Sequence, residues 1–298
     1  MPELPEVEAA RSRLARSATG REIEGVEVPD ADALKNVTVS DFRSALSGRA
    51  LRHFRRHGKV LFAHAGDGPR LVVRFGMTGD LPALSPGEEE PEHVRVRIAF
   101  ADGGRLVFDN PRTFGWMELA DDPETHVAAN DLGPDALALS RDAFAGILGG
   151  TRGITRPALT DQSKLAGIGN LYADEILFRA RLRPDAKGTD LSDAQLRDLH
   201  AAMREVLETA TDRLSDGRDL PDDRLASRRG GDETCPRCGG DLRRESISGR
   251  TARFRPACQK MGDGRPAKPP VAPRSGKSSL RTRAKNRPKP RRNPSAGN

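Results

Sequence analysis

Residues 164–180 read KLAGIGNLYADEILFRA, and this stretch decides the most about the fold. Gly167 and Gly169 interrupt a helical pattern, and Asn170 is a natural N-cap for a new helix. Asp174 and Glu175 favour the early turns of that helix, because a helix N-terminus attracts negative charge. We therefore predict a helix, a tight glycine turn and a second helix. Backbone N–H groups at such a turn suit a phosphate oxygen, although a purely structural turn fits the same letters equally well.

The helical pattern extends over most of the chain after residue 120. The clearest helix begins at Ser192, which forms a capping box with Gln195 and precedes apolar residues at helical spacing. Those residues are Leu196, Leu199, Met203, Val206, Leu207, Ala210 and Leu214. Residues 216–233 are polar and glycine-rich, so we predict a linker before the cysteine segment.

The first 120 residues predict strands instead. Residues 70–75 (RLVVRF), 94–100 (VRVRIAF) and 105–109 (RLVFD) are rich in β-branched side chains. In residues 94–100 apolar side chains alternate with Arg95 and Arg97, which is typical of a sheet with one solvated face. We predict an antiparallel β-sandwich with an N-terminal helix packed on it.

Composition limits the class of protein. The 298 residues are 36% hydrophobic, which is enough for two modest domains. The N-terminal segment is too highly charged for a secretory signal, and no apolar run is long enough to span a bilayer. We therefore expect a soluble, intracellular protein.

The positive charge of the chain is concentrated at its C-terminal end. Residues 262–298 carry eleven Lys or Arg against one acid, while the whole chain has a formal net charge of +7. Because this tail has many prolines and few apolar residues, we predict that it is disordered and attracts a polyanion. A solubilising extension is the alternative.

Three cysteines, Cys235, Cys238 and Cys258, lie in one short segment. The CPRC spacing is that of a zinc knuckle, but the second pair expected sixteen residues later is Arg255 with Cys258. A permanently cationic arginine cannot ligate zinc. Bound zinc would therefore take its fourth ligand from water or a nearby carboxylate. The alternative is a β-hairpin that keeps its shape without metal.

Six motifs follow one another in a recognisable order and spacing. They are PELPEVE (2–8), RRHGK (55–59), GMTG (76–79), PRTFG (111–115), GIGNLYADEILFRA (167–180) and CPRC (235–238) with GRTARF (249–254). Together they resemble the bacterial formamidopyrimidine-DNA glycosylase and endonuclease VIII family over nearly all of residues 1–260.

The resemblance implies an α+β multidomain fold with DNA bound in the cleft between domains. We expect an N-terminal catalytic β-sandwich at residues 1–120 and a helix-two-turns-helix domain at 121–225. A degenerate zinc-finger hairpin follows at 226–261, and the disordered basic tail occupies 262–298.

The family's mechanism implies roles for four residues of this sequence. Pro2, once Met1 is removed, would supply an amine that attacks the sugar of a flipped-out nucleotide and forms a Schiff base. An α-amino group titrates near neutrality, so a useful fraction is unprotonated. By resemblance Glu3 assists sugar-ring opening, and Lys59 is a general acid and phosphate contact. Arg250 matches the finger arginine that grips phosphate and is assigned to δ-elimination.

The resemblance also implies the DNA contacts. Met77, Arg112 and Phe114 match the side chains that fill the gap left by the flipped base. His93 retains one histidine of a pair that the family has before a strand. Asn170 matches a phosphate contact at the helix turn.

Several positions depart from the family pattern. Arg74 stands where the family usually has histidine, Thr113 replaces the second arginine of its PRRFG motif, and Pro91 replaces the other histidine of the pair. The loop before the finger is shortened to the linker described above. For this reason we expect ring-opened or oxidised pyrimidine-like bases, or abasic sites, as substrates rather than 8-oxoguanine.

The expected function is a bifunctional DNA glycosylase and abasic-site lyase of base excision repair. As a cytoplasmic, DNA-associated monomer, it would act on double-stranded DNA through a Schiff base and β/δ-elimination, with no cofactor required. One alternative is an abasic-site lyase with little glycosylase activity. Another is a damaged-DNA-binding protein that has lost the chemistry, against which the intact Pro2, Glu3 and Lys59 argue.

Overall fold

A computed structural model describes residues 2–228 and 233–264. Its helices are α1 (Leu4–Ser17), α2 (Val39–Leu46), α3 (Pro123–Ala129), α4 (Arg141–Gly149), α5 (Thr155–Thr160), α6 (Asn170–Arg179) and α7 (Asp193–Ser215). Its strands are β1 (Ile23–Glu27), β2 (Leu51–His57), β3 (Val60–Ala65), β4 (Arg70–Arg74), β5 (Ala83–Leu84), β6 (Val94–Phe100), β7 (Arg105–Asp109), β8 (Trp116–Ala120), β9 (Arg243–Ile247) and β10 (Arg250–Phe254).

The first eight strands form two four-stranded antiparallel sheets, in the orders β1-β6-β7-β5 and β2-β3-β4-β8. Along β6, Val96, Ile98 and Phe100 are buried, whereas Arg95 and Arg97 are half-buried. One apolar cluster joins residues of both sheets with α1 and α2. The predicted sandwich with a half-solvated arginine face is confirmed.

Helix α1 belongs to two hydrophobic cores. Val7, Ala10 and Leu14 lie in the sandwich core, but Leu4, at the start of the helix, lies in the core of the helical region. The helix accordingly packs against both β2 and α7. The N-terminal segment therefore lies where the two regions meet.

The helical region is built around α7. Ser192 and Gln195 form the predicted capping box, which satisfies backbone N–H groups that a helix start leaves unpaired. The predicted apolar stripe of this helix is buried against α4 and α6, except for the partly exposed Leu214.

A hairpin of β9 and β10 follows the helical region. Its two-residue turn, Ser248 and Gly249, has φ angles of 50° and 75°, the left-handed conformation that such tight hairpin turns require. Phe178 of α6, Leu225, Cys235 and Leu242 form the small apolar cluster beneath it. The predicted finger hairpin is thus confirmed.

Two details of the central motif differ from the prediction. Helix α5 ends at Thr160, so residues 161–169 form a longer connection than a tight glycine turn. The N-cap of α6 is Gly169, and Asn170 is the first helical residue. Asp174 and Glu175 do lie in the early part of α6, where both are buried and each is held by an arginine or a backbone N–H group.

The first residues assigned to the tail are held by the helical region. The backbone N–H of Gly264 donates to the carbonyl of Asp190 at 2.9 Å, and that of Asp263 donates to Gln195 Oε1 at 3.1 Å. The rest of the predicted disordered tail, residues 265–298, lies outside the described residues. Among the residues that the structure describes, none of the helices is long and apolar enough to cross a membrane.

Candidate active site

The carboxylate of Glu3 sits on the N-terminus of α6. It accepts hydrogen bonds from the backbone N–H groups of Gly169 at 2.6 Å, Leu171 at 3.0 Å and Tyr172 at 3.4 Å. These groups are among those that a helix leaves unpaired, and the helix dipole favours a negative charge there. Gly169 is needed at this place because an added Cβ would overlap the carboxyl group of Glu3. The acid is 2% exposed and held in one orientation.

Two further hydrogen bonds fix the start of the chain against the helical region. The N–H of Leu4 donates to the carbonyl of Gly167 at 3.0 Å, and the hydroxyl of Tyr172 donates to Glu6 Oε1 at 2.8 Å. Within the N-terminal segment, the N–H of Glu3 donates to Glu6 Oε2 at 2.9 Å. Burial raises the pKa of Glu6, so this carboxyl group takes up a proton more readily than an exposed glutamate.

Pro2 lies half-buried at a cavity of about 260 Å³. Glu6, Ala9 and Phe75 also line this cavity, and the ion pair of Arg13 with Asp80, at 2.6 Å, borders it. The walls are partly apolar and partly charged, which suits a flat heterocycle with polar edges. Pro2 therefore lies next to a space that a small ring system can enter.

Lys59 is placed by the turn between β2 and β3. Gly58 has a φ of 55°, and its N–H donates to Asp135 Oδ2 at 2.7 Å. A Cβ at Gly58 would lie 2.7 Å from that of Ala166, so only glycine lets the turn approach the helical region this closely. The guanidinium of Arg56 forms an ion pair with Asp135 as well.

Burial lowers the pKa of Lys59 below its usual value. The charges of Glu3 and Glu6 raise the pKa, while those of Arg74 and Arg250 lower it. The structure thus places Lys59 within the electrostatic field of both predicted catalytic residues, Glu3 and Arg250. An amine in this setting gives up its proton more easily than an exposed lysine.

Met77, Arg112 and Phe114 lie on two loops that pack backbone against backbone. A Cβ at Gly76 would overlap the backbone at Gly115, and one at Gly115 would lie 2.7 Å from the carbonyl of Arg74. The two loops therefore approach each other closely at these glycines. Met77 is 37% exposed and Phe114 is 59% exposed, although both are large and apolar. The guanidinium of Arg112 lies over the Phe114 ring, 5.8 Å from its centroid.

The buried Asn110 connects His93 to the loop of Arg112 and Phe114. The N–H of Asn110 donates to the carbonyl of His93 at 3.0 Å, and its side chain donates to the carbonyl of Gly115 at 2.8 Å. Asn110 therefore ties the loop of Arg112 and Phe114 to the strand that follows His93. The imidazole itself is partly exposed.

Asn170 and Arg250 line one polar cavity of about 530 Å³, together with Arg244 and Arg253. The buried Arg156 connects the two sides of this cavity. Its Nε donates to Asp174 Oδ1 at 2.6 Å, and its Nη2 donates to the carbonyl of Thr251 at 3.1 Å. A helix start and a hairpin rich in arginine thus face one space, which suits a phosphate group.

The thiol sulfurs of Cys235, Cys238 and Cys258 lie within 4.8 Å of one another. Three thiols this close could hold a metal ion. The group includes none of the carboxylates Glu233, Asp241 and Glu245, and the other candidate from the sequence, Asp232, lies outside the described residues.

A closed tetrahedral zinc site needs four ligands, and the side chain at the fourth position is the guanidinium of Arg255. A backbone hydrogen bond from Gly240, followed by contacts with the side chains of Cys258 and Arg255, lowers the pKa of Cys238 to about 7. Arg255 thus lies next to the thiols but cannot itself act as a zinc ligand. The residues present do not fit a closed zinc site.

Several residues of the site were not found from the sequence. Glu6, Asp135 and Asn110 are unremarkable in the sequence, since their role depends on contacts between distant segments. Arg156 is a further example, because a buried arginine cannot be told from a solvated one by its neighbours in the chain. The sequence signal for the Glu3 contact was the glycine pair Gly167 and Gly169, because Gly169 leaves room for the Glu3 carboxyl group.

Comparisons with known proteins find similarity over most of the chain. The family model of the formamidopyrimidine-DNA glycosylase N-terminal domain matches residues 1–117, and that of the formamidopyrimidine-DNA glycosylase H2TH domain matches residues 132–219. A formamidopyrimidine-DNA glycosylase of Heliobacterium modesticaldum is 38% identical over 281 residues, which cover 87% of this chain and 100% of that protein. One of Salinispora arenicola is 37% identical over 87% of this chain and 96% of its own length.

Solved structures of a Lactococcus lactis enzyme are similar as well. A complex between this formamidopyrimidine-DNA glycosylase and DNA containing an abasic site has a TM-score of 0.76 and 26% identity. The match covers 87% of the present chain and 99% of that one. A complex of the same protein with THF-DNA and an inhibitor has a TM-score of 0.79 at 26% identity, over 87% of this chain and 100% of that one.

Proposed function

The chain belongs to the formamidopyrimidine-DNA glycosylase family, and from this premise we propose how its residues cut damaged DNA. It is a DNA glycosylase with abasic-site lyase activity in base excision repair. Its substrate is double-stranded DNA that carries a damaged base or an abasic site.

The proposed nucleophile is the secondary amine of Pro2, which becomes free when Met1 is removed. The amine attacks C1′ of the flipped-out nucleotide, so that an N–C1′ bond forms and the bond from C1′ to the base breaks. Opening of the sugar ring leaves an iminium, the Schiff base between Pro2 and the sugar. The half-buried position of Pro2 at the 260 Å³ cavity supports this role.

Glu3 and Lys59 are proposed to move the protons of this step. Lys59, whose pKa is lowered by burial, is proposed to protonate the departing group. Glu3 adjoins Pro2 in the chain and is proposed to assist ring opening and to carry protons at the sugar. Its three hydrogen bonds to the start of α6 keep the carboxylate in place while the sugar reacts.

The iminium makes the C2′ proton acidic, and strand cleavage follows from its loss. Removal of that proton expels the 3′ phosphate in the β step, and a second elimination expels the 5′ phosphate in the δ step. We assign Arg250 to the second step, because an exposed guanidinium on a hairpin turn can neutralise a departing phosphate.

DNA is held by two sets of side chains in this proposal. Met77, Arg112 and Phe114 fill the gap left by the flipped nucleotide, and their exposure on closely packed loops supports insertion. His93 and Asn170 contact the DNA backbone. Arg250 joins Asn170 at the phosphate cavity.

No metal cofactor is required in this mechanism, because the amine, the carboxylate and the ammonium group supply the nucleophile and the proton transfers. We propose that the protein works on DNA in the cytoplasm as a monomer. We also propose that the domain boundaries lie at residues 120, 225 and 261.

One observation carries the proposal: Pro2 opens onto a cavity while the adjacent Glu3 is fixed at a helix start. The test is a panel of duplexes that contain an oxidised pyrimidine, a ring-opened formamidopyrimidine, 8-oxoguanine opposite cytosine, or an abasic site. We expect faster base release from the first two than from 8-oxoguanine. Fastest excision of 8-oxoguanine would refute the substrate preference. Cleavage of the abasic duplex alone would identify a lyase with little glycosylase activity, and binding without cleavage a non-catalytic protein.

A further inference from the structure

Two tight turns carry the three thiols of the finger. In the first turn the N–H of Cys235 donates to the carbonyl of Gly240, and the N–H of Gly239 donates to that of Cys235, both at 2.8 Å. The second turn follows β10, where the N–H of Cys258 donates to the carbonyl of Arg255 at 2.9 Å. A four-thiolate zinc ion would join two such turns.

The side chain of Arg255 joins the same two turns. Its Nη1 donates to the carbonyl of Asp241 at 3.0 Å, and its guanidinium packs against Gly240. A Cβ at Gly240 would lie 2.7 Å from Cζ of Arg255, so the guanidinium occupies the space beside this glycine. Arg255 also contacts the Cys238 thiol. One cation thus bridges the turn of Cys235 and Cys238 to the turn of Cys258.

We propose that Arg255 takes the place of a structural zinc ion, so that this finger folds and works without metal. The guanidinium supplies a positive charge beside the thiols, as a metal ion would, and adds directed hydrogen bonds to backbone carbonyls. It also repels a second cation at the same place, since two charges a few ångströms apart interact strongly near a protein surface.

The attachment of the finger to the helical region does not depend on metal either. The buried Gln259 donates from Nε2 to the carbonyl of Leu182 at 2.7 Å. The N–H of Lys260 donates to the carbonyl of Arg181, and the N–H of Arg183 donates to that of Lys260, both at 2.8 Å. Apolar packing against Phe178 completes the docking.

Metal content of the purified full-length protein tests the proposal. We expect far less than one zinc per chain in the wild type after dialysis. Arg255→Cys, which creates the fourth thiol, is expected to take up one zinc and to give the visible charge-transfer bands of tetrahedral thiolate coordination with Co²⁺. The proposal would be overturned if the wild type retains one zinc per chain and if a chelator lowers its melting temperature or abolishes its nicking activity.

Removal of the guanidinium tests the link itself, without reliance on zinc uptake. Arg255→Ala is expected to lower the melting temperature and to weaken binding of abasic-site DNA about tenfold, since it removes a charged hydrogen-bond donor. Arg243→Ala removes a charge from the same hairpin at a side chain that is 63% exposed, and is expected to leave the melting temperature unchanged. If Arg255→Ala melts and binds like the wild type, Arg255 does not hold the finger. Neither readout requires the Schiff-base chemistry, so the proposed function can fail independently.

Discussion

The Oε2 atom of Glu3 lies 2.6 Å from the backbone nitrogen of Gly169, across 166 positions of sequence. Through this contact the second residue after Met1 caps the helix that begins at Asn170. This hydrogen bond therefore joins the N-terminal segment to the start of α6, and a change on either side reaches the other.

Gly169→Ala is expected to abolish most of the strand-nicking activity while the fold is retained. Gly169 has a φ of −123°, which alanine adopts without strain, but an added Cβ would overlap the Glu3 carboxyl group. Displacement of a positioned proton-transfer group costs roughly 10²-fold or more in rate. Single-turnover nicking of abasic DNA measures the loss. Gly146→Ala is the matched control, because nothing lies within 4 Å of its Cβ position. Equal rates for both variants would contradict this role of the contact.

The rate of base release is expected to fall at alkaline pH, and at lower pH than an ordinary lysine would predict. Burial lowers the pKa of Lys59 below its usual value of 10.5. If the protonated amine of Lys59 is the acid, this acid is fully protonated below the lowered pKa, and the alkaline limb of the rate profile declines as pH rises through that pKa; ionisation of the Pro2 amine shapes only the acidic limb. Single-turnover base excision between pH 6 and pH 10 provides the profile. A profile that stays flat to pH 10 would show that Lys59 does not act as the acid.

Phe114→Ala is expected to weaken the preference for damaged over undamaged DNA by about tenfold, because the wedge that replaces the flipped base is lost. Fluorescence anisotropy with matched duplexes measures both affinities. Met261→Ala is the control, since Met261 is likewise exposed, at 46%, but has no predicted DNA contact. An unchanged ratio in Phe114→Ala, or an equal loss in Met261→Ala, would remove Phe114 from the set of inserted residues.

For Glu175→Gln, the free energy of unfolding relative to that of the wild type is expected to increase as pH rises from 4.5 to 6. Burial raises the pKa of Glu175 from 4.5 to about 6, so the folded protein binds a proton more tightly than the unfolded chain. Wild-type stability from this group is full below pH 4.5 and is lost as pH rises through 6, by about 2 kcal/mol. The difference in free energy of unfolding between variant and wild type, measured by urea denaturation across this range, should increase and then level off. A constant difference would contradict the raised pKa.

The sequence predicted the elements better than the contacts between them. Strands such as 94–100 and the capped helix after Ser192 follow from local patterns of period two and 3.6, which one segment displays by itself. The position of the Glu3 carboxylate could not be predicted from such patterns, because it depends on Gly169 and on a helix start far along the chain. Asn170 was assigned the cap for the same reason: its local preference is good, but the side chain of Glu3 supplies the hydrogen bonds.

In the cysteine segment, the sequence predicted the ligand spacing but not the packing of Arg255. Its spacing revealed that Arg255 stands where a fourth ligand belongs. The packing of the guanidinium against Gly240 required the structure, since it joins two turns that the sequence separates.

Trapping of the covalent intermediate tests the central claim most directly. Protein whose Met1 has been removed is incubated with abasic-site duplex and sodium borohydride, which reduces an iminium to a stable bond, and the product is mapped by peptide mass spectrometry. We predict a covalent complex with the sugar remnant on Pro2, none with an N-terminally extended form, and slower trapping for Pro2→Gly, which offers a primary amine instead. Absence of a complex with the free terminus, equal trapping with the extended form, or attachment to another residue would contradict the assignment of Pro2 as the nucleophile.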